Sequence, residues 1–150
     1  MTYCSEFSKT FPCFVSNDPK FTLRENKSSV SALNSSRDQI FLFKPDEFIT
    51  TKKACDYLLL NCEKINCWYI ELKGNNLDHA YRQITQTIQY TWQLLTESHK
   101  VNAVIVLTKV STPNYNNTPS YLKFKKELDK RFKNKNTVVV ISRTTQIQLS

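Results

Sequence analysis

Apolar residues along the chain fall into two kinds of pattern, short continuous runs and longer stretches in which they recur every three or four positions. The clearest periodic stretch is Leu77 to Leu95, where Leu77, Tyr81, Ile84, Ile88, Trp92 and Leu95 share one helical face, the spacing of a helix laid against a core. A second helix is predicted from about Pro119 to Lys133, with Tyr121, Phe124, Leu128 and Phe132 as its inner stripe. The short runs read as strands: Gln39 to Ile49, interrupted near Pro45, then Lys53 to Leu60, Cys67 to Lys73, Val101 to Thr108 and Thr137 to Thr144. Lys53–Leu60 and Cys67–Lys73 are joined by the polar link NCEKIN, the pattern of an antiparallel hairpin. Asp18 to Leu33 reads as a helix capped by Ser16 or Asn17, with Pro19 in its first turn, where a missing N–H costs nothing.

The predicted order is therefore helix, three strands, helix, strand, helix, strand. A helix between the third and fourth strands is a crossover, which makes those strands parallel neighbours in a mixed central sheet flanked by helices, an α/β fold. A chain of 150 residues is the size of one domain, and we expect a single domain over residues 1–150. The sequence contains no internal repeat, low-complexity segment or linker.

Composition narrows the class. With 40% apolar, 12% aromatic and 23% charged residues the chain departs from the signature of disorder. Its longest apolar runs, Val104–Leu107 and Val138–Ile141, fall far short of the roughly 20 residues that cross a bilayer, and its start has no secretory pattern, so a cytoplasmic protein without membrane contact is expected. Five cysteines without C-x-x-C spacing and two histidines support neither a disulfide framework nor a zinc site, and idle thiols are expected. A formal charge of +8 and a pI near 9.3 favour polyanionic partners.

Candidate chemistry comes from the hairpin. If it turns about Glu63 and Lys64, Leu60 faces Cys67, Leu58 faces Tyr69, and Asp56 lies opposite Glu71. Facing residues have Cβ atoms about 4.5–5.5 Å apart, so the two carboxylates repel. Lys73, two positions past Glu71, projects from the same face about 6–7 Å along the strand. A hard divalent cation would offset the repulsion. Mg2+ suits a site with one or two carboxylates, since waters and substrate phosphate oxygens complete its shell, while the lysine stabilises the attacking hydroxide or the charge developing on phosphorus. The triplet alone is weak, because Asp18-Pro19-Lys20 and Glu25-Asn26-Lys27 repeat it; its place at the end of an apolar strand, with a lone aspartate starting the preceding one, gives it weight.

These residues, Asp56 followed by YLLL and, after fourteen intervening positions, Glu71-Leu72-Lys73-Gly74, resemble the PD-(D/E)XK nuclease superfamily, which includes many restriction endonucleases, Holliday-junction resolvases and RecB-like nucleases. Gln86-Thr87-Ile88-Gln89-Tyr90 is similar to the Q-x-x-x-Y signature of RecB-like members. The resemblance covers roughly Asp18 to Thr108 and implies a restriction-endonuclease-like core of helix, three strands, helix, strand. It implies Asp56 and Glu71 as ligands of Mg2+ (or Mn2+), Lys73 as the residue that assists the water, and Glu25, on the first helix, as a further ligand or acid. Glu25 read without the resemblance is a solvated helix face. The dipeptide Pro45-Asp46 competes for the first-acid role but lies 25 positions before Glu71. Departures are Cys55 in place of the motif's proline, no upstream histidine, and no cysteines at iron–sulfur spacing.

DNA is the expected partner. LKFKKELDKRFKNK near the C-terminus carries seven lysines and arginines against two acids; this is either a solvated helix face or a surface whose Lys123, Lys126 and Lys130, together with Arg82, contact phosphates. Gln86 and Tyr90 would approach the scissile strand or brace the lysine. Cutting both strands needs two sites, hence an expected homodimer. The alternatives are a nucleic-acid-binding or interface module that cleaves nothing, and a subunit of a restriction or defence complex.

Overall fold

The computed structural model describes residues 9–25, 28–50, 53–74, 76–91, 95–107, 115–142 and 146–149. Nine strands and two α-helices occur among them: β1 (Phe14–Ser16), β2 (Lys20–Glu25), β3 (Ser28–Leu33), β4 (Ile40–Phe43), β5 (Tyr57–Asn61), β6 (Asn66–Gly74), α1 (Leu77–Thr91), β7 (Lys100–Leu107), α2 (Pro119–Arg131), β8 (Thr137–Ser142) and β9 (Gln146–Gln148). Strands β1-β4-β5-β6-β7-β8, in that order, form a six-stranded sheet, and β2-β3-β9 form a second sheet of three. The fold is α/β with a mixed main sheet: β4, β5 and β6 run antiparallel, whereas β6, β7 and β8 run parallel. The parallel pairs are linked by α1 and α2, as a crossover requires.

Three layers result. Leu58, Leu60, Cys67, Tyr69, Ala103 and Ile105 on one face of the main sheet pack with Ala80, Ile84 and Ile88 of α1 and with Phe124 and Leu128 of α2. Tyr57, Leu59, Trp68, Ile70, Leu72 and Val104 on the other face pack against Phe21, Leu23, Val30 and Ala32 of the small sheet. Strands β5 to β7 are thus covered on both sides, which is why their sequences are near-continuous apolar runs. Among the described residues, no helix is long and apolar enough to cross a membrane.

One expected element is overturned. Residues 20–25 and 28–33 are not helical but form the antiparallel pair β2–β3, with Phe21 opposite Ala32 and Leu23 opposite Val30; residues 26–27 of the expected helix lie outside the described residues. Phe21, Leu23, Val30 and Ala32 are buried at steps of two while their neighbours face outward. This is the strand period, and threonine, serine and valine fill a pleated surface better than a helix. The helix that would open a restriction-endonuclease-like core is therefore absent from this segment. Glu25 stands at the end of β2 opposite Ser28, not on a helix. Strands β1 and β9 were not anticipated. Cys62 is disulfide-bonded, which corrects the expectation of thiols throughout; Cys13, Cys55 and Cys67 are free, the last two buried.

Candidate active site at the β5–β6 strand ends

The β5–β6 hairpin has the expected register: Leu60 pairs with Cys67, Leu58 with Tyr69, and Tyr57 with Ile70. The ladder ends at Tyr57–Ile70; continuing its register by one step sets Asp56 opposite Glu71. Glu71 follows Cys67 and Tyr69 at steps of two on the helix-covered side and is only 5% exposed; it is the one acidic residue among the buried described residues. A carboxylate placed in a doubly covered sheet is costly to desolvate, and such positions are where functional acids concentrate.

Asp56 is held by specific contacts. It occupies a bend before β5 and its Oδ2 accepts the Leu72 N–H at 2.7 Å. The side chain thereby supplies β6 with the acceptor that the backbone of β5 stops offering. From above, α1 fixes the approach to the strand: Thr87 Oγ1 accepts the Cys55 N–H at 2.9 Å, and Gln83 Nε2 donates to the Ala54 carbonyl at 3.2 Å. From the opposite layer, the Tyr57 hydroxyl donates to the Arg24 carbonyl at 2.6 Å and accepts the Arg24 N–H at 3.3 Å. Gln83 and Thr87 were not singled out by the sequence reading. The available signal was Thr87, a hydroxyl next to the inner stripe residues Ile84 and Ile88.

Cys55 reports on the charge of this corner. Burial first, then the fields of Glu71 and Asp56, push its thiol far above the ordinary range, against the lowering effect of its hydrogen bond with Thr87.

The pairing of β6 with β7 shifts just beyond Glu71. Glu71 lies opposite Ile105 and Gly74 opposite Leu107, so β6 spends three steps where β7 spends two, a bulge that takes up Leu72 and Lys73. Bulges recur beside active sites because they re-aim a side chain. Lys73 belongs to β6, but its side chain lies outside what the structure describes, and the alternation used to place it beside Glu71 is interrupted here.

The location is favourable for anions. Because α1 and α2 are crossovers, the carboxyl ends of β6 and β7 and the first turns of both helices gather at one end of the main sheet, where open α/β sheets bind ligands. Asn76 Oδ1 accepts the His79 N–H at 3.2 Å at the start of α1, and Thr118 Oγ1 caps α2 by accepting the Tyr121 N–H at 3.3 Å. Lys44 adds a cation 5.9 Å above the Tyr57 ring.

The remaining predicted residues are scattered. Glu25, half-buried, neighbours Arg24 and so lies at the same end of the molecule, in the small sheet. Asp46 is exposed in the 3-10 turn Pro45–Glu47 after β4. Gln86, Arg82 and Lys123 line a groove between α1 and α2, and Lys130 lines its continuation. Tyr90 instead packs against Phe11 and Phe48, with ring centroids 6.1 and 6.2 Å away. Lys126 is exposed on α2.

The donor set fits Mg2+ of the kind that keeps most of its waters. Among the described residues no group of three or more His, Cys, Asp or Glu side chains could hold a metal. Two carboxylates suffice for Mg2+, and a carboxylate that accepts one N–H has further lone-pair sites for a ligand. No family model, curated protein or solved structure matches the chain.

Proposed function

We propose that this chain is a metal-dependent nuclease that hydrolyses phosphodiester bonds in DNA, most simply as an endonuclease. One observation carries the reading: Glu71, a buried glutamate, lies one step past the last β5–β6 pair, beside Leu72, whose N–H Asp56 Oδ2 accepts. Asp56 and Glu71 would hold Mg2+, which supplies charge neutralisation at the phosphate and a more acidic bound water. Asp56 is oriented for this by the Leu72 N–H, and Glu71 by its strand. Lys73 would assist the water. Cutting both strands of a duplex calls for two copies, so a homodimer belongs to the proposal.

Digestion of plasmid and oligonucleotide DNA in Mg2+ tests it. Asp56→Asn, Glu71→Gln and Lys73→Met should each slow cleavage by at least about a hundredfold, since metal activation supplies several kcal/mol. Full activity in Glu71→Gln overturns the assignment. A second reading, a nucleic-acid-binding subunit that cleaves nothing, is favoured by the exposed Lys123, Lys126 and Lys130 of α2. Salt-sensitive binding without Mg2+-dependent cutting would select it.

A further inference from the structure

The groove between α1 and α2 has a volume of about 580 Å³ in its larger part, floored by Ile88, Phe124 and Leu128. It continues toward the first turn of α1 as a smaller, more polar recess lined by Tyr81, Arg82, Ser120 and Lys123. Across the whole groove four cationic side chains, Arg82, Lys123, Lys130 and Arg131, face two carboxylates, Asp78 and Glu127. Asp78 makes no ion pair with Arg82 despite its i, i+4 position: the salt bridges among the described residues are Lys64–Asp38 and Lys125–Asp129. Arg82 on α1 and Lys123 on α2 thus line opposite walls of the recess.

A second feature marks the same recess. Tyr81 is 5% exposed, stacked on Phe124 at 4.8 Å and set edge-on to Tyr121 at 6.5 Å. Its hydroxyl is buried and has no hydrogen-bond partner among the described residues. Buried polar groups are nearly always paired, so this phenol is an unmet donor in the wall of a basic groove. Burial first, then the neighbouring Tyr121, Tyr115 and Asp78, push its pKa up to about 12. At neutral pH it therefore keeps the proton it would donate.

We infer that this recess is a phosphate subsite for a nucleic-acid strand, in which Arg82 and Lys123 bracket one backbone phosphate and the Tyr81 hydroxyl donates to it as Tyr121 moves aside. This deepens the nuclease reading and rests on it for the identity of the ligand. The recess opens at the end of the molecule that holds Asp56 and Glu71, because α1 begins just beyond the carboxyl end of β6. A strand seated there would run from the groove toward the acids.

The test is fluorescence anisotropy of a labelled DNA duplex in EDTA, which separates binding from cutting, repeated over a salt series. The double variant Arg82→Ala/Lys123→Ala should weaken binding at least about tenfold and lower the magnitude of the slope of log K against log salt by about 0.9, the worth of the one phosphate the two side chains bracket. The charge-matched control Lys9→Ala/Lys20→Ala should change the slope less. Tyr81→Phe should weaken binding about tenfold, the worth of one hydrogen bond to a charged acceptor, without lowering the melting temperature. An unchanged slope in the double variant, or an equal fall in the control, overturns the subsite; unchanged affinity in Tyr81→Phe removes the phenol from it. Glu71→Gln, tested alongside, should bind normally in EDTA and fail to cut in Mg2+. Groove variants that bind like the wild type while Glu71→Gln loses cutting sink the subsite alone. The converse, weakened binding with no cutting by the wild type, sinks the nuclease reading alone.

Discussion

Magnesium should stabilise the folded chain through the two facing acids. Asp56 and Glu71 stand one step beyond the Tyr57–Ile70 pair, and two ionised carboxylates at a cross-strand Cβ spacing of about 5 Å would repel by roughly 3 kcal/mol at an effective dielectric near 20. A divalent ion between them relieves that repulsion. With a dissociation constant on the order of 1 mM, at the weak end for oxygen-ligand sites, 10 mM Mg2+ adds about 1.4 kcal/mol to the stability of the native state. For a chain of 150 residues this raises the melting temperature by roughly 3–6 °C. The assay is differential scanning calorimetry in 10 mM MgCl2 against NaCl of equal ionic strength. Asp56→Asn is the informative variant, because its amide oxygen can still accept the Leu72 N–H that Asp56 Oδ2 accepts at 2.7 Å, so the strand end stays intact while the charge goes. Both Asp56→Asn and Glu71→Gln should abolish the shift. A shift of equal size in Glu71→Gln, or none in the wild type, refutes the pairing of these acids around an ion.

Three further predictions follow from other parts of the fold. Burial raises the thiols of Cys55 and Cys67 far above their ordinary range, so the folded chain keeps two protons that the unfolded chain releases above about pH 8.5; stability from these groups is complete below that pH and should fall by roughly 2.7 kcal/mol per pH unit above it, and urea unfolding that is flat between pH 8.5 and 10 would contradict this. Asn102 donates to Asn66 Oδ1 at 2.8 Å and to the Cys67 carbonyl at 2.9 Å, and accepts from Thr137 Oγ1 at 2.6 Å; Asn102→Val should cost about 3 kcal/mol through the orphaned partners, read as a lower urea midpoint. Tyr57→Phe removes both hydrogen bonds to Arg24 and should cost about 1–2 kcal/mol, with amide exchange accelerating in β2 and β3 but not in β7; uniform acceleration would show that the two sheets do not open separately.

What could be read from the sequence was what local pattern decides. The helix over Leu77–Thr91 carries its own 3.6-residue period, and the β5–β6 hairpin its own turn and strand lengths, so both were recovered, the latter to its register. The parallel pairing of β6 with β7 followed from the crossover alone. The β2–β3 hairpin was misread because Pro19 and the capping residues before it imitate a helix start, while Phe21, Leu23, Val30 and Ala32 make only two short alternations. Their meaning depends on the far face of the main sheet, where Tyr57, Ile70 and Leu72 wait to be covered. No local rule supplies that surface.

The site divides along the same line. The β5–β6 register up to Tyr57–Ile70 is a consequence of one hairpin, so sequence spacing was enough to set the strand ends that carry Asp56 and Glu71 side by side. Fixing Asp56 takes Gln83 and Thr87, about thirty residues away on a helix whose placement is a tertiary fact. Lys73 is the sharper case. Two-residue alternation would set it on the side of Glu71, and that inference assumes an unbroken ladder; the ladder is broken by the offset between Glu71–Gly74 and Ile105–Leu107, which arises in pairing with a strand some thirty residues further along the chain. Lys73 is thus the member of the triplet that hairpin spacing alone could not orient.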